Sequence, residues 1–160
     1  MRNIEIEELG ATPVTGRKVE VVERKGLGHP DYICDSIMNQ VSVDLCREYI
    51  DRFGTIMHHN TDKGMLVAGE VKTKFQGGVI LKPMRIIFGD RATFEVGDEV
   101  IDVNNIAIDA AKEWIKNNLR FVNGDSIHYQ VEIARGSSEL TDIFKRKDTI
   151  LGANDTSAAV

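Results

Sequence analysis

The sequence predicts an α+β domain, a mainly antiparallel sheet with helices packed on one face. Three observations carry that expectation. Ile33, Ile37, Val41 and Leu45 recur at helical spacing, with Cys34 and Met38 widening the stripe. A second helical pattern runs from Val103 to Leu119. Around them lie short runs of alternating apolar and polar residues, without the strict strand–helix alternation of a parallel sheet. The 160 residues suffice for one domain with a core, and 42% hydrophobic with 28% charged content describes an ordinary globular chain.

Taken in order, residues 2–8 alternate, with Ile4 and Ile6 on one side, and predict a short strand. Residues 9–16 form a turn-rich link, and Val19 and Val21 mark a second strand. Pro30 suits a first helical turn, so His29 is the expected N-cap of a helix ending near Gly54. Residues 54–60 predict a strand, 61–64 a turn, and 65–69 a strand buried on both faces until Glu70. Residues 70–75 alternate, Gly77-Gly78 is a break, and 79–88 is one further strand in which Pro83 demands an edge or bulge. Residues 92–96 make another short strand. The second helix, capped by Asp102 or Asn104, presents Ala107, Ala110, Ala111, Trp114 and Asn118 on one face, with Ile115 beside them. Residues 127–134 form a strand, 135–139 a polar turn, and 140–144 a short helix. The expected division is N-terminal strands and link over 1–24, an α+β domain over 25–146, and the start of a next segment over 147–160.

A formal net charge of −5 leaves no basic footprint for nucleic acid. Cys34 and Cys46 lie in one predicted helix, about 18 Å apart along its axis, too far to bridge, which suits a reducing cytoplasm. The acidic opening residues lack an apolar signal core, and no apolar run approaches the ~20 residues of a membrane span.

The chemistry concentrates at residues 23–37. Gly26 and Gly28 beside Lys25 deliver His29 to a helix N-terminus, with Asp31 and Asp35 one turn apart on one face. Helix N-termini attract anions, and Mg²⁺ commonly takes one or two protein carboxylates plus phosphate oxygens. The alternative is structural: acidic residues complement the helix dipole and a histidine caps it. His58 and His59, adjacent on a strand, point to opposite faces and do not predict a zinc cluster.

Residues 23–37, read with 64–70 and 152–157, closely resemble the S-adenosylmethionine synthetase (methionine adenosyltransferase) family. Gly28-His29-Pro30-Asp31 followed by Ile33-Cys34-Asp35 carries the likeness; His58-His59-Asn60-Thr61-Asp62 and Ala153-Asn154-Asp155-Thr156-Ser157 resemble its archaeal branch. The resemblance implies the N-terminal portion of a longer enzyme of three related βαββαβ domains, dimeric, with active sites at the subunit interface. The implied reaction makes S-adenosylmethionine from ATP and L-methionine, releasing phosphate and pyrophosphate, with Mg²⁺ as cofactor. Carried over, His29 is the catalytic histidine on the phosphate chain, and Asp31 and Glu23 lie at the metal. Glu70 meets the methionine ammonium, Asp155 lines the substrate pocket, and Arg135, Gly136, Ser137, Ser138 and Glu139 form a nucleotide-binding loop. The bacterial potassium-binding glutamate falls near Met57, a poor ligand for a hard cation, so K⁺ is left open. The chain alone is expected to be inactive. The competing readings are a non-catalytic interaction or regulatory module of the same fold, and a metal-dependent hydrolase using His29, Asp31 and His58; no histidine pair at i, i+4 supports the latter.

Overall fold

Helix α1, Pro30–Phe53, is the element on which the rest packs. In the computed structural model, which describes residues 5–8 and 10–136, both of its ends follow from local chemistry. His29 is the N-cap, Pro30 occupies the first turn, and Gly54 closes the helix in the left-handed region at φ 69°. Ile37, Val41, Leu45 and Tyr49 have no exposed surface. Burial stabilises by roughly 1.5–3 kcal/mol for each aliphatic side chain of this size. Helix α2, Val103–Asn118, starts at Asp102, whose side chain accepts from the Asn105 amide. Its buried stripe of Val103, Ala107, Ala110, Ala111 and Ile115 packs against α1. Asn118, expected on that face, is exposed instead, and its side-chain amide donates to the Trp114 carbonyl at 2.8 Å.

The strands are β1 (His59–Asn60), β2 (Gly64–Val67), β3 (Glu70–Lys74), β4 (Gly77–Lys82), β5 (Arg85–Phe88), β6 (Arg91–Ala92), β7 (Glu95–Val96), β8 (Glu99–Val100), β9 (His128–Val131) and β10 (Ala134–Arg135). One sheet has the order β2-β5-β9, antiparallel between β2 and β5 and parallel between β5 and β9, with α2 in the crossover. A second has the order β1-β6-β10, again with one antiparallel and one parallel pairing. Hairpins β3-β4 and β7-β8 are antiparallel. The class is α+β as expected, with α1 lying against β2 and α2 against β9. Ile86 and Phe88 of β5 carry the sheet's side of the core.

Several strands differ from expectation. The alternating stretch around Val19 and Val21 forms no strand; both residues are exposed, and among the described residues no strand pairs with their backbone. Residues 5–8 likewise form no strand, and 2–4 lie outside the described residues. Strand β2 is not buried on both faces, since Met65 is 55% exposed. The single strand expected over 79–88 is two, because Pro83 cannot continue a ladder: β4 pairs with β3, and β5 with β2 and β9. Gly77 and Gly78 belong to β4, opposite Lys74 and Thr73, and the chain reverses at Phe75-Gln76 with Gln76 at φ 60°. Only His59–Asn60 of the strand expected over 54–60 is paired, and β6 and β7 divide the one expected over 92–96. The helix expected over 140–144 and the segment 147–160 lie outside the described residues.

Gly69, between β2 and β3, faces a tight approach. A Cβ there would stand 2.3 Å from the Lys82 carbonyl oxygen and 2.7 Å from the Met84 nitrogen, both backbone atoms. Gly69→Ala is therefore expected to destabilise by roughly 1–3 kcal/mol, as overpacking against immovable atoms does. A denaturant midpoint unchanged from the parent would contradict this.

Candidate active site at the N-terminus of α1

The turn before α1 is closed by the His29 amide donating to the Gly26 carbonyl at 2.9 Å. Neither Gly26 nor Gly28 adopts a positive φ, and a Cβ at either would meet open space. Their lack of a side chain is thus not demanded by packing; it leaves the backbone bare on the solvent side, where a ligand can approach closely. His29 Nδ1 accepts from the Asp31 amide at 3.2 Å. An acceptor nitrogen carries no proton, so the neutral ring holds its proton on Nε2 and has a donor left over.

Asp31 is engaged by Lys25, Nζ to Oδ2 at 2.5 Å. The hydrogen bond from Lys25, and then its charge, hold the Asp31 carboxyl below the usual carboxylate range. Lys25 is raised in return, first by that hydrogen bond and further by the charges of Asp31, Asp35 and Glu23, against a smaller opposing effect of desolvation. Glu23, Lys25, Asp31 and Asp35 therefore share one neighbourhood. Beside it an open cleft of about 200 Å³ runs between the first turns of α1 and the start of β2, lined by Pro30, Asp31, Cys34, Asp35, Gly64, Met65 and Leu66. Gly64 sets its width: a Cβ there would stand 2.7 Å from Met38 Cγ. Burial, with the nearby Asp35 and Asp31 charges, pushes the Cys34 thiol up, so it is no thiolate nucleophile.

Among the described residues no group of three or more His, Cys, Asp and Glu converges as a metal cage. The donors at α1 are hard carboxylate oxygens around a cation that already stands in, the Lys25 ammonium. That set suits an ion such as Mg²⁺, which keeps waters and phosphate oxygens and asks for few protein ligands.

The other predicted residues belong to other elements. Glu70 is the exposed first residue of β3, opposite Lys82. Arg135, at the end of β10, places Nη1 2.6 Å from Glu95 Oε2 and its guanidinium carbon 5.5 Å from the Phe94 ring centroid. Gly136 donates its amide to the Ala92 carbonyl at 3.0 Å. No hydrogen bond or ion pair links Glu70, Arg135 or Gly136 to the His29 turn among the described residues. Ser137, Ser138, Glu139 and Asp155 lie outside the described residues.

His58 and His59 face opposite ways. His59 turns to α1: Nδ1 donates to the Met57 carbonyl at 2.9 Å, and Nε2 accepts from Ser42 Oγ at 2.8 Å. His58 lies beside Gly136, Asp90 and Arg91, and its carbonyl accepts from Thr93 Oγ1 at 2.9 Å. Desolvation, then the neighbouring His59 and Arg91 charges, push His58 below its ordinary value, with Asp90 opposing. The folded protein thus binds this proton less readily than the unfolded chain. Stability is full above about pH 6.5 and is lost as pH falls through the depressed folded value. Thermal melts of His58→Gln are expected to show a flatter acid limb than the parent, and identical limbs would remove His58 from the account.

The sequence model of the S-adenosylmethionine synthetase (AdoMet synthetase) family matches residues 2–160. The chain belongs to this family. It is 47% identical over 161 residues to the S-adenosylmethionine synthase of Methanothermobacter thermautotrophicus, covering 100% of this chain and 40% of that protein. Against the S-adenosylmethionine synthase of Methanocaldococcus jannaschii it is 47% identical over 168 residues, covering 100% and 41%. Against that of Pyrococcus furiosus the identity is 44% over 162 residues, covering 99% and 40%. The chain therefore spans about two-fifths of the length of these archaeal relatives. Within this family member, the hold of Lys25 on Asp31 is the feature that sequence reading missed. A lysine six residues before the aspartate, across a glycine turn, was the available signal. Gly64 and Leu66 as walls of the cleft, and the Ser42–His59 pair, had no local signal.

Proposed function

We propose that residues 23–35 form the triphosphate and metal end of an active site that makes S-adenosylmethionine from ATP and L-methionine, releasing phosphate and pyrophosphate. The supporting observation is the convergence, at one bare helix N-terminus, of an imidazole donor, an ammonium and a hard carboxylate beside an open cleft. Membership of the family supports the assignment of that chemistry.

A thioether has no proton to lose, so attack of the methionine sulfur on C5′ of ATP needs alignment and stabilisation of the leaving group rather than a base. His29, held by its Nδ1 contact, offers Nε2–H to an oxygen of the departing triphosphate. The α1 dipole adds partial positive charge at this end of the helix. Asp31, with Glu23, would hold Mg²⁺, which when bound neutralises part of the triphosphate charge. Glu70 receives the methionine ammonium, and Asp155 lines the same pocket. Arg135, Gly136, Ser137, Ser138 and Glu139 carry the nucleotide. No residue is assigned to K⁺.

The same reading makes the working protein a cytoplasmic homodimer. Val71, Phe75, Val79, Ile80 and Leu81 of the β3-β4 hairpin are all exposed, which supports burial against another protein surface. No described helix is long and apolar enough to cross a membrane.

The test is Asp31→Asn in a chimera where this chain replaces the aligned part of the Methanothermobacter thermautotrophicus enzyme. The amide keeps the shape and removes the charge that a hard cation needs. The Mg²⁺ concentration for half-maximal activity should rise about tenfold or more, with an unchanged circular dichroism spectrum. An unaltered midpoint would leave Asp31 to the helix dipole alone.

A further inference from the structure

We propose that Lys25 is a built-in counter-cation for the metal position: its ammonium holds Asp31 when no divalent ion is bound, yields the carboxylate when one binds, and then pairs with phosphate. This rests on residues 23–35 being the metal and phosphate end.

The geometry supplies the first half. Lys25 Nζ lies 2.5 Å from Asp31 Oδ2, and the charges of Asp35 and Glu23 act on the same ammonium. The lysine therefore occupies the one carboxylate oxygen it is seen to bond, Asp31 Oδ2, with the charges of Asp35 and Glu23 acting from farther off, and a divalent cation would be drawn to the same oxygen. The two cannot share the position. Mg²⁺ binds carboxylate oxygen at about 2.0–2.1 Å, and an ammonium still bonded to the same carboxylate would lie a few ångströms from the dication. Like charges that close repel strongly.

Exposure supplies the second half. The side chains of Lys25 and Asp31 are 51% and 57% exposed, so the pair parts without disturbing the core. An exposed pair is weak, which makes it a latch that lowers metal affinity modestly rather than a block. The four-carbon stem is flexible, and the space beside Gly26 and Gly28 is open. A released ammonium thus lies next to the bare backbone proposed to receive phosphate.

Two opposite effects of one substitution distinguish this from general electrostatics. Mn²⁺ binding, followed by electron paramagnetic resonance of the free ion, should be two- to fivefold tighter in Lys25→Gln than in the parent. Lys18→Gln, the same charge change at an exposed position outside residues 23–35, and Lys25→Arg should match the parent. In the presence of Mn²⁺, inorganic tripolyphosphate should bind more weakly to Lys25→Gln than to the parent, a reversal of sign. Equal Mn²⁺ affinity in parent and Lys25→Gln, or equal tightening in Lys18→Gln, would overturn the inference while leaving the metal reading intact. Undiminished tripolyphosphate binding by Lys25→Gln would overturn the phosphate half. Failure of every variant to bind Mn²⁺ would overturn the metal reading and this inference with it.

Discussion

Incubated with ATP, L-methionine and Mg²⁺, the 160-residue chain by itself is expected to yield no S-adenosylmethionine, whereas the chimera with the remaining family sequence is expected to turn over. The reason is charge. The departing triphosphate carries about four negative charges, and leaving much of that unpaired in a dry site costs several kcal/mol. Each 1.4 kcal/mol or so is a tenfold loss of rate. At the α1 N-terminus the described cations are few, Arg24, Lys25 and, beside the cleft, Lys63, so even with Lys25 released from Asp31 they leave part of that charge unmatched. The relatives are longer by more than half of their length, room for the missing cations. Product detected by mass spectrometry from the chain alone, at a rate near that of the chimera, would contradict this account of where those cations lie.

His29→Asn in the chimera is expected to slow the transfer step by ~10²–10³, the usual cost of removing one donor aimed at developing charge. The substitution separates two roles. Asparagine is among the best N-caps, so the start of α1 is retained. What is lost is the Nε2 donor, which the Nδ1 contact to the Asp31 amide leaves unused. ATP affinity should change little, because the charge in question develops only in the transition state. Single-turnover kinetics reads the step directly, and an unchanged rate would reduce His29 to a cap.

The helices and their ends were legible because their signals are local. Proline in the first turn, a capping residue before it, a 3.6-residue stripe and a terminal glycine together bound α1. The edges of the sheet were less legible for a physical reason. Alternation around Val19 and Val21 says that a segment is able to pair, and says nothing about whether a partner lies within reach. Pro83 was read as a bulge in one strand, but it separates two strands with different partners, a fact set by tertiary register. The same division holds for the site. His29, Asp31 and Asp35 were legible because one helical turn places them. Where Glu70 and Arg135 sit depends on strand pairings far along the chain, and the Ser42–His59 contact spans α1 and β1. The engagement of Arg135 by Glu95 and Phe94 belongs to that non-local class too.

Metal and phosphate are proposed to meet at the N-terminus of α1. Paramagnetic broadening on the ¹⁵N-labelled chain tests it most directly, with Mn²⁺ and tripolyphosphate added in substoichiometric amounts. The amide signals of residues 23–35 should broaden first, followed by those of residues 64–66 across the cleft. Another cleft, of about 300 Å³, lined by Lys112, Lys116 and Arg120 among others, is the internal competitor for a polyanion. Broadening centred on residues 112–124, with residues 23–35 unaffected, would contradict the account.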